Sequence, residues 1–255
     1  MKVESLVITG ASRGIGAALA RASARPGVAL ALIGRDEAEL GRVAEACRAA
    51  GADVTTILAD VRDREGLRER LLGFDAAYPV DRVIANAGVA LSTDDDDANE
   101  AATYGEIEVN LGGAVNTVLP FVGPMRARGG GQLALVSSLA AFAPLPDSPG
   151  YSATKAALLV YGLALRQRLR GAGIRVNVIC PGYIETEMGA RYKGWRPMLM
   201  SAEKAAAIIL AGLDRDRPVI AFPRSLALAA RLSTFVPEPV RRLGLSGFKF
   251  SIERQ

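Results

Sequence analysis

The segment "PGYSATKAAL", Pro149 to Leu158, carries a tyrosine and a lysine four positions apart, at Tyr151 and Lys155. In a helix, residues at that spacing stand side by side on one face, so an ammonium comes to lie beside a phenol ring and its oxygen. Such a pair is either a solvated surface pair, common on exposed helices, or a working acid–base pair. The chain contains no histidine. Ser-His-Asp and Cys-His catalysis are thereby excluded, a zinc site is disfavoured, and proton transfer falls to Tyr, Lys, Asp or Glu.

The elements that would position this pair follow from the apolar runs. Seven recur: "LVITG" (6–10), "ALALIG" (29–34), "DVTTILAD" (53–60), "RVIANAG" (82–88), "QLALVSS" (132–138), "IRVNVICPG" (174–182) and "PVIAFP" (218–223). Helix-like segments fill the gaps between them. Continuous apolar strands alternating with helices predict an α/β fold, a parallel sheet buried on both faces and joined by right-handed crossovers. Ligands of such sheets bind beyond the carboxyl ends of the strands, where the strand order reverses. "STDDDDANE" (92–100) and "FAPLPDSPG" (142–150) read as loops.

Composition bounds the function. At 255 residues, half of them hydrophobic, the chain suits one domain, since α/β domains of about 200–250 residues fold as a unit. No apolar run approaches the roughly 20 residues needed to span a bilayer. The opening "MKVESLVITG" does not read as a secretory signal. Cys47 and Cys180 read as reduced, buried thiols, and the expected location is the cytoplasm. The net charge of +4 comes without a Lys/Arg-rich block, which argues against nucleic-acid binding. The run Asp94 to Asp97 reads as a solvated loop near the substrate mouth rather than a metal site.

"TGASRGIG", Thr9 to Gly16, follows the first strand and opens the first helix. Gly10, Gly14 and Gly16 let the backbone turn tightly and approach a pyrophosphate at the helix N-terminus. Their spacing differs from the usual dinucleotide fingerprint. It resembles the glycine motif of the short-chain dehydrogenases/reductases, and the likeness runs on through "ADV" at Asp60–Val61, "NAG" at Asn86, Ala87 and Gly88, "VN" at Asn110, "SS" at Ser137–Ser138, Tyr151-x-x-x-Lys155, and "PGYIET" from Pro181 to Thr186. These motifs cover residues 1–190. One departure is Ala85, where many relatives carry a second asparagine.

The resemblance implies a single-domain Rossmann fold over 1–255, a doubly wound sheet with helices on both faces, with cofactor binding and catalysis in 1–190. It implies that Tyr151 is the general acid/base and that Lys155 lowers its pKa. A charge about 4 Å from the phenol oxygen, at an effective dielectric near 20, favours the phenolate by ~4 kcal/mol, which is roughly 3 pKa units. Ser138 would hydrogen-bond the substrate oxygen where negative charge develops. Asn110, unfavourable inside the helix "YGEIEVNLGGAVNTVL" by propensity, would hold a water that links Lys155 to solvent. The turn residues Gly10, Ser12, Arg13, Gly14, Ile15 and Gly16 would hold the phosphates, and Asp60 and Val61 the adenine. Asn86, Ala87 and Gly88 would face the cofactor, as would Tyr151 and Lys155. Pro181, Gly182, Ile184 and Thr186 would contact the nicotinamide end.

The choice of nicotinamide turns on "LIGRDEAEL". An NAD enzyme places an acid at the end of the second strand, and an arginine there suits a 2′-phosphate. With the strand ending at Gly34, the acid position is vacant and Arg35 follows, while Arg13 approaches from the other side. Asp36 is the competing claimant for the acid position, but Asp36 to Glu39 fits a capping box for the next helix. NADP(H) is therefore expected over NAD(H).

Residues 187–206, with Met188, Tyr192, Trp195, Met198, Leu199 and Met200, read as a mobile lid over an apolar pocket, pointing to a lipophilic ketone or alcohol. The tail 222–255 mixes apolar residues with arginines. It reads as packing or a homo-oligomer contact, dimer or tetramer, with membrane-surface binding the lesser alternative. Three functions stay open: an NADP(H)-dependent carbonyl reductase or alcohol dehydrogenase, a 3-oxoacyl-carrier reductase, and a catalytically idle NADP(H)-sensing or scaffold protein.

Overall fold

In the computed structural model, residues 3–91, 96–190, 192–193, 195–233, 235–236 and 251–252 are described. The seven apolar runs form β1 (Ser5–Thr9), β2 (Ala29–Gly34), β3 (Asp53–Leu58), β4 (Arg82–Ala85), β5 (Gly131–Val136), β6 (Ile174–Pro181) and β7 (Val219–Phe222). They pair in the order β7-β6-β5-β4-β1-β2-β3, every pair parallel. Chain order reverses where β1 lies between β2 and β4. β1, β2, β4 and β5 are buried at every position, whereas edge strand β3 is mostly exposed.

Between the strands run α1 (Gly14–Ser23), α2 (Glu37–Ala49), α3 (Arg64–Ala77), α4 (Asp96–Glu106), α5 (Gly113–Val118), α6 (Val122–Ala127), α7 (Pro149–Leu169), α8 (Ala202–Asp214) and α9 (Arg224–Ser233). One face of the sheet packs Leu19, Leu40 and Ile209 from α1, α2 and α8. The other packs Leu71, Val118 and Leu165 from α3, α5 and α7. Each crossover therefore covers apolar strand surface that would otherwise meet water.

The strands stop one to three residues before several of the apolar runs do. β4 ends at Ala85 and β5 at Val136, because beyond these points the chain leaves the ladder and turns into a cleft. "STDDDDANE" is not wholly a loop: α4 starts at Asp96. Residues 94–95 lie outside those described. The helix around Asn110 is also irregular, with Ile107–Gly112 wound as a π-helix between α4 and α5.

The segment 187–206 divides rather than forming one lid. Ala202, Ala205 and Ala206 belong to α8 and are buried in the core, while Trp195 and Met198 are exposed. Two-residue strands Ile184–Glu185 and Met200–Ser201 pair beside the cleft. In the tail, Phe222 closes β7 and α9 follows; residues 237–250 lie outside those described. Among the described residues no helix is long and apolar enough to cross a membrane.

At the opposite, amino-terminal end of the sheet, Arg82 donates to Gln132 at 2.8 Å and to Asp214 at 2.8 Å. Gln132 donates on to Asn177 at 2.8 Å. This buried polar row joins three neighbouring strands, so that each buried donor has an acceptor.

Candidate active site

The turn after β1 is shaped by what a side chain would strike. Gly10 and Gly14 have φ of 65° and 55°, the left-handed region that glycine adopts without strain. A Cβ at Gly16 would collide with the Gly10 carbonyl oxygen and lie 2.6 Å from Asn86 Nδ2. Asn86 holds the turn from the next strand, Nδ2 donating to the carbonyls of Thr9 at 3.0 Å and Gly10 at 3.1 Å. Thr9 Oγ1 answers by accepting the Asn86 N–H at 3.1 Å. The N-terminus of α1 carries no side-chain cap, so its first N–H groups are available to an anion.

This turn opens one end of a cleft of about 600 Å³. Of the residues expected from the sequence, Gly10, Ser12, Arg13, Gly14, Ile15, Arg35, Asp60, Val61, Asn86, Ala87, Gly88, Pro181, Gly182, Ile184 and Thr186 line it, with Ser138, Tyr151 and Lys155 farther along. Two do not. Gly16 packs behind the turn, and Asn110 is fully buried.

Tyr151 stands in the first turn of α7, partly exposed to the cleft. The Lys155 ammonium lies 5.4 Å from the centre of its ring and donates to the Val136 carbonyl at 3.1 Å. Ser137 Oγ donates to the Lys155 carbonyl at 2.6 Å, and Thr154 Oγ1 to that of Tyr151 at 2.8 Å. The first bond fixes α7 against the end of β5, and the second lies within the first turns of α7. Ser138 lies two residues beyond β5 and caps a short 3-10 turn, Leu139–Ala141, accepting the Ala140 N–H at 3.1 Å.

Asn110 is braced. Its Oδ1 accepts the Val89 N–H at 2.7 Å, and its Nδ2 donates to the Val89 carbonyl at 3.0 Å and to Thr154 Oγ1 at 3.2 Å. The π-turn aims this side chain at the loop after β4, which accounts for an asparagine in a helix.

The electrostatics depart from the sequence-based arithmetic. Burial pushes the Tyr151 phenol up to about 12, with the Ser138 hydroxyl pulling the other way. Burial also pushes the Lys155 ammonium down to about 8. The ammonium sits over the ring, and the protein around both groups disfavours charge on either. Lys155 alone does not bring Tyr151 to neutrality.

At the other end of the cleft β2 ends at Gly34, and Asp36 caps α2 by accepting the Glu39 N–H at 3.1 Å. Arg13 Nη2 donates to Asp36 at 2.9 Å, and Arg13 Nη1 to Glu187. Arg35 stands 3.7 Å from Asp60, which is bound more closely by Arg62 at 2.7 Å. Asp36 and Glu187 also line the cleft; Glu187, not anticipated from sequence, comes near Arg13 across 174 positions. Among the described residues no group of three His, Cys, Asp or Glu could hold a metal.

The switch-point cleft, the glycine cradle and the Tyr-Lys pair at the sheet edge lie together in an α/β fold of the kind that binds dinucleotides. Residues 4–197 match the short chain dehydrogenase family. The chain belongs to that family and is an oxidoreductase that uses a nicotinamide cofactor to interconvert CH–OH and C=O groups. It is 35% identical over 241 residues to an "uncharacterized oxidoreductase" of Myxococcus xanthus, covering 94% of this chain and 95% of that one. It is 34% identical over 226 residues to 1-deoxy-11-beta-hydroxypentalenate dehydrogenase of Streptomyces exfoliatus, covering 85% and 82%. A short-chain dehydrogenase from Sphingobium yanoikuyae, solved in complex with NADPH, superposes with a TM-score of 0.80 at 27% identity over 97% of each chain.

Proposed function

We propose that this protein is an NADP(H)-dependent reductase of ketones and dehydrogenase of secondary alcohols, acting on a lipophilic substrate. The observation that carries the reading is one cleft holding the glycine cradle and Arg13 at one end and Ser138, Tyr151 and Lys155 at the other. The cradle fits a dinucleotide because positive φ at Gly10 and Gly14 and the close packing of Gly16 on Gly10 make a tight turn that ends at the uncapped N-terminus of α1.

When bound, the nicotinamide ring supplies or accepts the hydride. Tyr151 holds the proton that a carbonyl oxygen takes up in reduction, and receives it back in oxidation. Ser138 donates toward the same oxygen as charge develops. Lys155 favours the phenolate by its charge, and a positive nicotinamide adds to it. The Asn110 side chain is committed to Val89 and Thr154; its part is to hold the loop after β4 and the start of α7, and any water relay would run past it.

Several observations support NADP(H). β2 ends without a carboxylate, Asp36 is engaged in capping and with Arg13, and Arg13 and Arg35 both line the cleft. The relative from Sphingobium yanoikuyae was solved with NADPH. The substrate end is lined by Leu91, Leu139, Ala143, Leu145, Met188 and Leu226, which supports a substrate with apolar substituents. The protein is read as a homo-oligomer; Leu228 and Leu232 stand exposed on one side of α9, an apolar stripe of the kind that subunits cover.

A steady-state survey of ketones and secondary alcohols with NADPH, NADP+, NADH and NAD+ tests this reading. Turnover of apolar ketones with NADPH is expected. Turnover confined to charged or carrier-bound substrates, or to NADH, would overturn it.

A further inference from the structure

Glu106 enters none of the roles above, yet it is buried with 1% of its surface exposed. It ends α4, immediately before the π-turn that aims Asn110. Its Oε1 accepts the Leu91 N–H at 2.8 Å, in the loop that lines the substrate end of the cleft. Its Oε2 lies against the start of α7: a Cβ at Gly150 would come within 2.6 Å of it. Gly150 immediately precedes Tyr151. The missing side chain at 150 is what lets the carboxyl group approach the helix that carries the acid–base residue.

This position suits a carboxylate. The first turn of a 21-residue helix carries partial positive charge, and a backbone N–H bond to the anion is charge-assisted. Three segments therefore meet on one side chain: the loop after β4, the α4 to π-turn junction and the start of α7. The ionisable groups converging on Tyr151 are Lys155 from α7, Glu106 from α4 and Cys180 from β6, while Asp147 ahead of α7 is exposed.

We propose that Glu106 is a positioning residue of the active site, fixing the start of α7, and with it Tyr151, against the loop after β4. The proposal rests on Tyr151 being the acid–base group. The charge at that place has a consequence for the pair: a carboxylate beside a phenol disfavours the phenolate, so Glu106 raises Tyr151 and, as an opposite charge, also raises Lys155. Glu106 thus acts on the phenol directly, against the phenolate, while it keeps Lys155 charged.

The pH dependence of alcohol oxidation with NADP+ tests this, because oxidation needs the phenolate. In Glu106→Gln the limb of kcat/KM that rises with pH should move to lower pH by about one unit. At a fixed pH below the limb, oxidation should then be about tenfold faster relative to each enzyme's own plateau. Glu106→Asp, which keeps the charge, should leave the limb near its parental position. Should Glu106→Gln fail to fold, Gly150→Ala gives a second test: its methyl would come within 2.6 Å of the carboxyl oxygen and 3.1 Å of Thr103, and displacing the carboxyl from the start of α7 should move the limb the same way. A limb that stays in place while the rate falls would make Glu106 a packing residue and overturn the proposal.

A second readout needs no turnover. Carbon-13 labelling of the tyrosine Cζ, with the Tyr151 signal assigned from Tyr151→Phe, follows its ionisation in the NADP+ complex directly. The midpoint should fall in Glu106→Gln, and an unmoved midpoint would refute the charge role. Failure of the functional reading would show instead as a parental enzyme without turnover, which leaves this titration informative.

Discussion

The Lys155 ammonium lies 5.4 Å from the centre of the Tyr151 ring and donates to the Val136 carbonyl at 3.1 Å. One side chain thus ties the first turns of α7 to the end of β5 while standing beside the phenol. Removing the phenol oxygen leaves that tie in place. Tyr151→Phe should therefore cut turnover by about 10²–10⁴-fold, the range for a lost general acid, while NADPH fluorescence titration gives nearly parental affinity. Near-parental turnover in the variant would remove Tyr151 from the chemistry.

Lys155 sets a pH window for stability. Its folded pKa is held at about 8 against 10.5, so between those values the unfolded chain binds more protons and this group's contribution to stability rises with pH. Below pH 8 the buried charge costs on the order of 3 kcal/mol. Lys155→Met should thus melt above the parent at pH 7, and the gap should close toward pH 10 as the parental lysine deprotonates. The Tyr151 phenol, up at about 12, runs the opposite way: it contributes stability below pH 10 that is lost as pH rises through 12. Parallel melting curves at pH 7 and 10 would show that Lys155 is not desolvated.

Cofactor preference should follow the two arginines. kcat/KM with NADPH is expected to exceed that with NADH by at least about tenfold, the preference shrinking in Arg35→Ala and again when Arg13→Ala is added. Arg13 is the more costly to recruit, since a phosphate must compete with Asp36 and Glu187 for it. Gly34→Asp should tilt the enzyme toward NADH. A Cβ there would lie 3.3 Å from Leu40 Cδ1 and 3.5 Å from Ser12 Cβ, close enough to require only a small shift. A parental preference for NADH would assign the acid position to Asp36.

Gly16 tests the cradle through packing. Gly16→Ala drives a methyl into the Gly10 carbonyl and toward Asn86 Nδ2, and overpacking against backbone costs about 1–3 kcal/mol. A lower melting temperature together with weakened NADPH binding is expected; an unaffected affinity would separate the turn from the phosphate site.

Much of this was legible in local sequence. Each parallel strand showed as an apolar run because both of its faces are covered, and "TGASRGIG" announced its turn because positive φ at Gly10 and Gly14 needs glycine. Asp36 showed as a cap, and β2 ended at Gly34, because capping is chemistry between residues three apart. The four-residue step from Tyr151 to Lys155 is likewise a helical near-neighbour relation.

What only the tertiary structure decided depends on contacts between distant segments. β5 stops at Val136 because Gln132 to Val136 find partners on β6 while Ser138 turns into the cleft. Nothing in the local sequence marks Glu106 as buried; the packing of α4 on α7 and the gap at Gly150 bury it. Arg13 is drawn to Glu187 across 174 positions. The surroundings of Tyr151 belong here too: spacing reports which charge is near, whereas desolvation is the sum of everything packed around a group, and no single segment encodes that sum.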